Sequence, residues 1–288
     1  MTSPETPIIV VGYDGSPASE TAAHWAATEA GLRHAKVRLI HVLTIPVSGQ
    51  LGLSMHTESL RLAAERLLDQ TCAQIRADHP GLEIEVVLEF GGVAPALLQE
   101  ATEALLMVVG SRGLGEFRDL AAGSVSAHVA TQAPCPVVVI PPRWKSERAD
   151  GIVVGVDGSP TSSAAIDFAF AQAQARNTTL TAVLAWHDPV RTGPGDMLPL
   201  VYDLDSLEQE AAALLAESIA GHSETYPDVL VKQELVRGHA DEVLVDAGRT
   251  AELLVVGSRG RGAFRGLLLG STSRSLVHNA PCPVAVVR

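Results

Sequence analysis

Two stretches of the sequence carry residue types that can grip an anion without a broad basic patch. One reads Gly110-Ser111-Arg112-Gly113, then nine residues, then Gly123-Ser124; the other reads Gly257-Ser258-Arg259-Gly260, nine residues, Gly270-Ser271. Glycine permits positive φ and close backbone approach, so successive N–H groups can converge on a phosphate. Where Gly-Ser opens a helix, its unpaired N–H groups and dipole favour the same charge. Arg112 and Arg259 offer a charge-assisted contact. Ser124 and Ser271 also suit plain helix caps, because capping and phosphate binding use one geometry. Asp14 and Asp157 each sit in Val-Gly-x-Asp-Gly-Ser-Pro. Such a carboxylate either braces a turn or holds Mg²⁺ beside phosphates.

Other chemistries find no support. None of the three lysines follows a glycine, so there is no GxxxxGK[ST] loop, and neither GxGxxG, HExxH nor GxSxG occurs. The ten histidines show no metal-ligand spacing, and Cys72, Cys135 and Cys282 form no CxxC. They read as reduced, buried thiols. No nucleophile paired with a base is visible, which favours binding over catalysis. His41, Trp25 and Trp186 read as packing residues.

These residues need elements to position them, and a repeat supplies the elements twice. Ile8–Pro17 returns as Gly151–Pro160 at an offset of 143, with Gly12, Asp14 and Ser16 matching Gly155, Asp157 and Ser159. Gly110 matches Gly257, and Ala133-Pro134-Cys135-Pro136 matches Ala280–Pro283, at an offset of 147. The drift places six extra residues in the second copy within Leu184–Asp205. Expected domains are 1–142 and 151–288, joined by a linker at 143–150.

Within one copy, Ile8–Gly12, Val37–Leu43, Leu82–Phe90, Ala104–Val109 and Pro136–Ile140 read as strands. Ser16-Pro17 opens a helix to about His34; Leu60–Ala77, Ala94–Glu103 and Ser124–Gln132 supply three more. Alternating elements of this kind imply an α/β fold: two tandem Rossmann-like domains, each a five-stranded parallel sheet with helices on both faces. Ligands of such sheets bind beyond the carboxyl ends of the strands at the switch point, where both glycine loops fall.

Composition agrees. Hydrophobic residues make up 47% and charged ones 19%, ample for two cores. A net charge of −12 and only 11 aromatics argue against nucleic acid or an anionic membrane as partner. The longest apolar runs are strand-sized, and the first residues lack the pattern of a secretory signal.

The Gly-x2-Gly-x9-Gly-Ser pattern after the fourth strand, the Asp after the first, and Pro-Cys-Pro before the fifth resemble the universal stress proteins, in their ATP-binding branch. The likeness spans nearly the whole chain twice. It implies that Asp14 and Asp157 lie near the adenosine or its Mg²⁺, and that Val42 and Val183 line the adenine. It implies that Gly110, Arg112 and Gly113, with Gly257, Arg259 and Gly260, wrap ribose and phosphates. Gly123, Ser124 and Val125, with Gly270, Ser271 and Thr272, would bind phosphates at the helix start. It further implies a cytoplasmic, ATP-binding stress or dormancy regulator with at most slow ATPase activity, fifth-strand pairing between domains, homodimerisation and a regulatory protein partner. The enzyme alternative, an adenylating or ATP-hydrolysing enzyme of related fold, would need a richer loop such as SGGxDS after the first strand. A scaffold whose loops bind nothing is the third reading.

Overall fold

A computed structural model describes residues 6–44, 53–113, 123–142, 144, 150–187, 204–261 and 268–288. The first copy runs β1 (Ile8–Gly12), α1 (Pro17–Arg33), β2 (Lys36–Leu43), α2 (Leu53–Asp78), β3 (Ile84–Phe90), α3 (Val93–Glu100), β4 (Leu106–Gly110), α4 (Ser124–Gln132) and β5 (Val137–Ile140). The second runs β6 (Ile152–Gly155), α5 (Pro160–Arg176), β7 (Leu180–Trp186), α6 (Leu204–Ile219), α7 (His222–Thr225), β8 (Val231–Arg237), α8 (Ala240–Ala247), β9 (Leu253–Gly257), α9 (Ser271–Asn279) and β10 (Val284–Val287). The single-turn helix α7 and the first seven residues of α2 go beyond the apolar stripes that mark helices in the sequence.

Each half is a parallel sheet in the order β3-β2-β1-β4-β5, and its counterpart runs β8-β7-β6-β9-β10. The two are one ten-stranded sheet, because β5 and β10 pair antiparallel, Ala285 opposite Val138. The sheet is thus larger than the five strands expected of each domain. An unpaired edge of four buried residues would leave its ladder groups unsatisfied, and here each edge completes the other. Arg288 reinforces the join, its guanidinium donating to the carbonyls of Ala130 (3.3 Å) and Thr131 at the end of α4.

Central strands bury both faces. Ile9 and Val11 point into the layer holding α1, α2, α5 and α6, and Val10 into the layer of α3, α4, α8 and α9. The alanine-rich α1 lets its axis lie close to β4, while Ser16 caps it by accepting from the Ser19 N–H (3.2 Å). His34 and Asn177 end α1 and α5 in the left-handed conformation. Most of the linker and of the six-residue insertion lies outside the described residues.

Candidate functional site

Switch points fall between β1 and β4 and between β6 and β9, and a cavity opens at the carboxyl ends of each pair. The first measures about 410 Å³ and the second about 670 Å³, both within the range of small-molecule sites.

Asp14 leaves β1 in a tight turn. Its Oδ1 accepts from the Ser16 N–H at 3.0 Å, and Gly15 takes a φ of +78° that only glycine adopts without strain. Asp157 repeats this at 2.9 Å to Ser159, with Gly158 at φ +73°. The turn-bracing role is therefore real, and it occupies one carboxylate oxygen. The other faces the glycine loop: a Cβ built on Gly113 would lie 2.4 Å from Asp14 Oδ2, and one on Gly260 would lie 2.5 Å from Asp157 Oδ2. Neither loop glycine has positive φ, so close approach alone explains them.

The loop is tied down at several points. The Ser16 hydroxyl donates to the Arg112 carbonyl (3.2 Å), and Ser159 does the same to Arg259 (3.3 Å). Gly110 packs against α1 so closely that a Cβ would meet Ala18 at 2.9 Å; Gly257 meets Thr161 at 2.8 Å. Beyond residues 114–122, outside the described residues, the chain returns where the Gly123 N–H donates to the Ser111 carbonyl (2.7 Å). The Gly270–Ser258 bond matches it at 2.8 Å.

This return point bears on the alternative reading of the two serines as helix caps. The N-caps are Gly123 and Gly270, with no side-chain cap bond, and Ser124 and Ser271 are the first residues of α4 and α9. Their exposed hydroxyls are not helix caps, and the first-turn N–H groups lack intrahelical acceptors.

All sixteen expected site residues line one cavity or the other. Asp14, Val42, Gly110, Arg112, Gly113, Gly123, Ser124 and Val125 line the first. Asp157, Val183, Gly257, Arg259, Gly260, Gly270, Ser271 and Thr272 line the second. Arg112 and Arg259 are exposed. At the far end of the first cavity, Val93 and Leu97 of α3 join Ile40 in an apolar wall. In the second cavity that end carries His187, His239 and Asp241, with the two imidazole rings 5.4 Å apart. Sequence reasoning missed these three, although the offset that aligns the glycine loops sets His239 against Gly92 and Asp241 against Ala94. It also missed Arg261, whose N–H donates to Asp157 Oδ2 at 3.1 Å.

His41 bonds the backbone where β1 ends. Its Nδ1 donates to the Tyr13 carbonyl (2.9 Å), while the Tyr13 hydroxyl bonds Thr71 (2.7 Å). Burial pushes the Tyr13 phenol above its ordinary range. Cys72, Cys135 and Cys282 are all buried, and desolvation raises the Cys135 thiol to about 11 and that of Cys282 to about 12. Such thiols are not nucleophiles at neutral pH. Among the described residues there is no group of three or more His, Cys, Asp or Glu set to hold a metal, and no helix long and apolar enough to cross a membrane.

Known proteins bear on this geometry. The model of the Universal stress protein family matches residues 6–141 and again 149–288. A universal stress protein of Mycolicibacterium smegmatis is 36% identical over 289 residues, covering 97% of this chain and 96% of its own. One from Mycobacterium tuberculosis is 34% identical over 302 residues, covering 97% and 94%. The crystal structure of a universal stress protein from Archaeoglobus fulgidus superposes with a TM-score of 0.71 at 19% identity, covering 99% of each chain, a likeness of fold. The family match falls once on each half of the sheet, glycine loop included, and the chain belongs to the universal stress protein family as two Usp domains in tandem.

Proposed function

We propose that the chain is a cytoplasmic ATP-binding regulator of stress or dormancy, with one nucleotide site in each half and binding rather than fast turnover as its activity. The observation that carries this reading is the duplicated cradle: a glycine backbone 2.4–2.5 Å, by its missing Cβ, from an aspartate oxygen, facing an uncapped helix start. A cleft of backbone N–H groups suits phosphate in a chain whose net charge is −12. In this reading Gly123, Ser124 and Val125 take the phosphates, with Gly270, Ser271 and Thr272 as counterparts. Gly110, Arg112 and Gly113, with Gly257, Arg259 and Gly260, enclose the ribose and phosphates, and Val42 and Val183 line the base.

The carboxylate beside each glycine loop fits Mg²⁺ that phosphates help to hold, since this ion binds through one or two carboxylates plus substrate oxygens. Asp14 and Asp157 are the residues for it. Occupancy would change the shape of each site and so the affinity for a regulatory protein or for a second copy in a homodimer.

The test begins with mass spectrometry of the native purified protein, expecting ATP at up to two per chain. Calorimetry then compares wild type with Asp14→Ala/Asp157→Ala. Absence of binding heat in wild type would leave the scaffold reading, and turnover above roughly 1 s⁻¹, in the ordinary enzyme range, would replace the regulator with an enzyme.

A further inference from the structure

Helices α1 and α5 cross on one face of the sheet, and their contacts are reciprocal. The Arg33 guanidinium lies over the Phe168 ring at 5.5 Å, and that of Arg176 lies over the Trp25 ring at 5.5 Å. At the offset of 143, Arg33 corresponds to Arg176 and Trp25 to Phe168, so each helix presents the same face to the other across a local two-fold.

At the centre of that face the symmetry breaks. Position 29 is Glu and its repeat counterpart, position 172, is Gln; both are fully buried. The Gln172 amide donates to Glu29 Oε1 at 2.7 Å, and Arg176 Nη2 donates to Glu29 Oε2 at 2.7 Å. Arg33 also donates to Glu29, and Arg176 to the Gln172 carbonyl oxygen. Burial alone would push the Glu29 carboxyl up, but Arg176 and Arg33 outweigh it and hold it below the usual range.

Each like pairing would fail on the same geometry. Two first halves would set two carboxylates face to face with no amide between them. Two second halves would set two amides among two arginines with no central carboxylate. Like charges facing each other in a buried seam, and buried donors left without acceptors, are costly defects in an interface, and single buried polar pairs are known to fix register and partner choice. We propose that Glu29 and Gln172 form a carboxylate–amide pairing code, by which the first half accepts a second half and rejects another first half. The face is then closed to self-association, and any further copy must dock elsewhere. A second asymmetry agrees. Arg176 completes its guanidinium on Glu252 (2.7 Å), whereas the counterpart of Glu252 is Leu105, and Arg33 Nη2 is left buried without a partner.

The experiment uses the full chain with Glu29→Gln, Gln172→Glu and the exchanged double variant, each melted at pH 7.5 and refolded from denaturant for sedimentation velocity. Each single change should lower Tm by roughly 10 °C, as expected for breaking a buried pair in a chain of this size. The exchange should recover at least half of the summed loss, because Glu at 172 gives Arg33 Nη2 its acceptor. Should Gln172→Glu not fold, the exchanged variant must still melt above Glu29→Gln. Refolded Glu29→Gln, in which like and unlike pairings are equivalent, should give a mixture of sizes where wild type gives one. Additive losses in the exchange, or a Glu29→Gln population no more heterogeneous than wild type, would overturn the proposal.

Discussion

The two cavities share one end and differ at the other. At the loop end the halves agree to within tenths of an ångström: Asp to Ser N–H at 3.0 and 2.9 Å, Ser to Arg carbonyl at 3.2 and 3.3 Å. At the opposite end the apolar wall of Val93 and Leu97 is kept as Ala240 and Leu244, but in the second half His187, His239 and Asp241 join it. The two halves keep the loop with its Asp and Ser, and differ in single side chains at the far end. The loop end is over-determined, because Gly110 and Gly113, like Gly257 and Gly260, are each pinned by a neighbour closer than any Cβ tolerates. The far end is lined by side chains that can change without moving the chain.

The largest effects should come from the shared end. Gly110→Ala would push a Cβ to 2.9 Å from the backbone of Ala18, and Gly257→Ala to 2.8 Å from that of Thr161. Helix backbone cannot yield as a side chain can, so each variant should lose about 1–3 kcal/mol, the usual cost of overpacking. Each should also lose ATP binding in its own half, halving the calorimetric stoichiometry. Retention of both sites in either variant would show that the loop is not held where the geometry has it.

Gly113→Ala and Gly260→Ala are gentler, since the obstacle is an aspartate oxygen that can rotate away. About tenfold weaker ATP binding is expected for each, or roughly 1.4 kcal/mol. The halves should separate here: Asp157 must also give up the Arg261 N–H, so Gly260→Ala should cost more. Equal losses would mean that this extra bond contributes nothing.

Smaller still is the effect at the divergent end. Replacing His239 by Gly, as at position 92, together with His187→Ala, should shift the second site's preference among nucleobases a few-fold and leave the first untouched. Competition between adenosine and guanosine triphosphates, read site by site, checks this. A change in both sites would place the two histidines outside the second cavity's function.

Much of this was legible in the chain itself, because it depends on local chemistry. Runs such as Ile8–Gly12 read as buried strands, Ser16-Pro17 reads as a helix start, and the offsets alone set Gly113 beside Gly260 in role. The true cap at Gly123 was hidden by Ser124, a better capping residue on local grounds. Tertiary closeness to the Ser111 carbonyl decided that position. The same holds for the loop glycines, whose need is a neighbour brought from β1 and not an unusual φ. Glu29 is the clearest case. Within α1 it reads as one half of an i, i+4 pair with Arg33, and only the packing of α5 against it makes it the buried centre of a seam.

The smallest predicted difference concerns the paired cysteines at the starts of β5 and β10. Burial lifts Cys135 to about 11 and Cys282 to about 12, against about 8.5 for a free thiol. A raised folded value means that both states hold the proton below about pH 8.5, where the full stability is present. Above that the unfolded chain releases it first, so stability falls as pH rises through the window up to about 11 and then 12. Urea midpoints at pH 7.5, 9 and 10 should therefore decline in wild type. Cys135→Ala and Cys282→Ala should each flatten the decline by a similar amount, because neither folded thiol releases its proton within this range. Their cavity cost lowers the whole curve without altering its slope, so the slope alone carries the comparison. Unchanged slopes in both variants would show that other groups govern the alkaline limb.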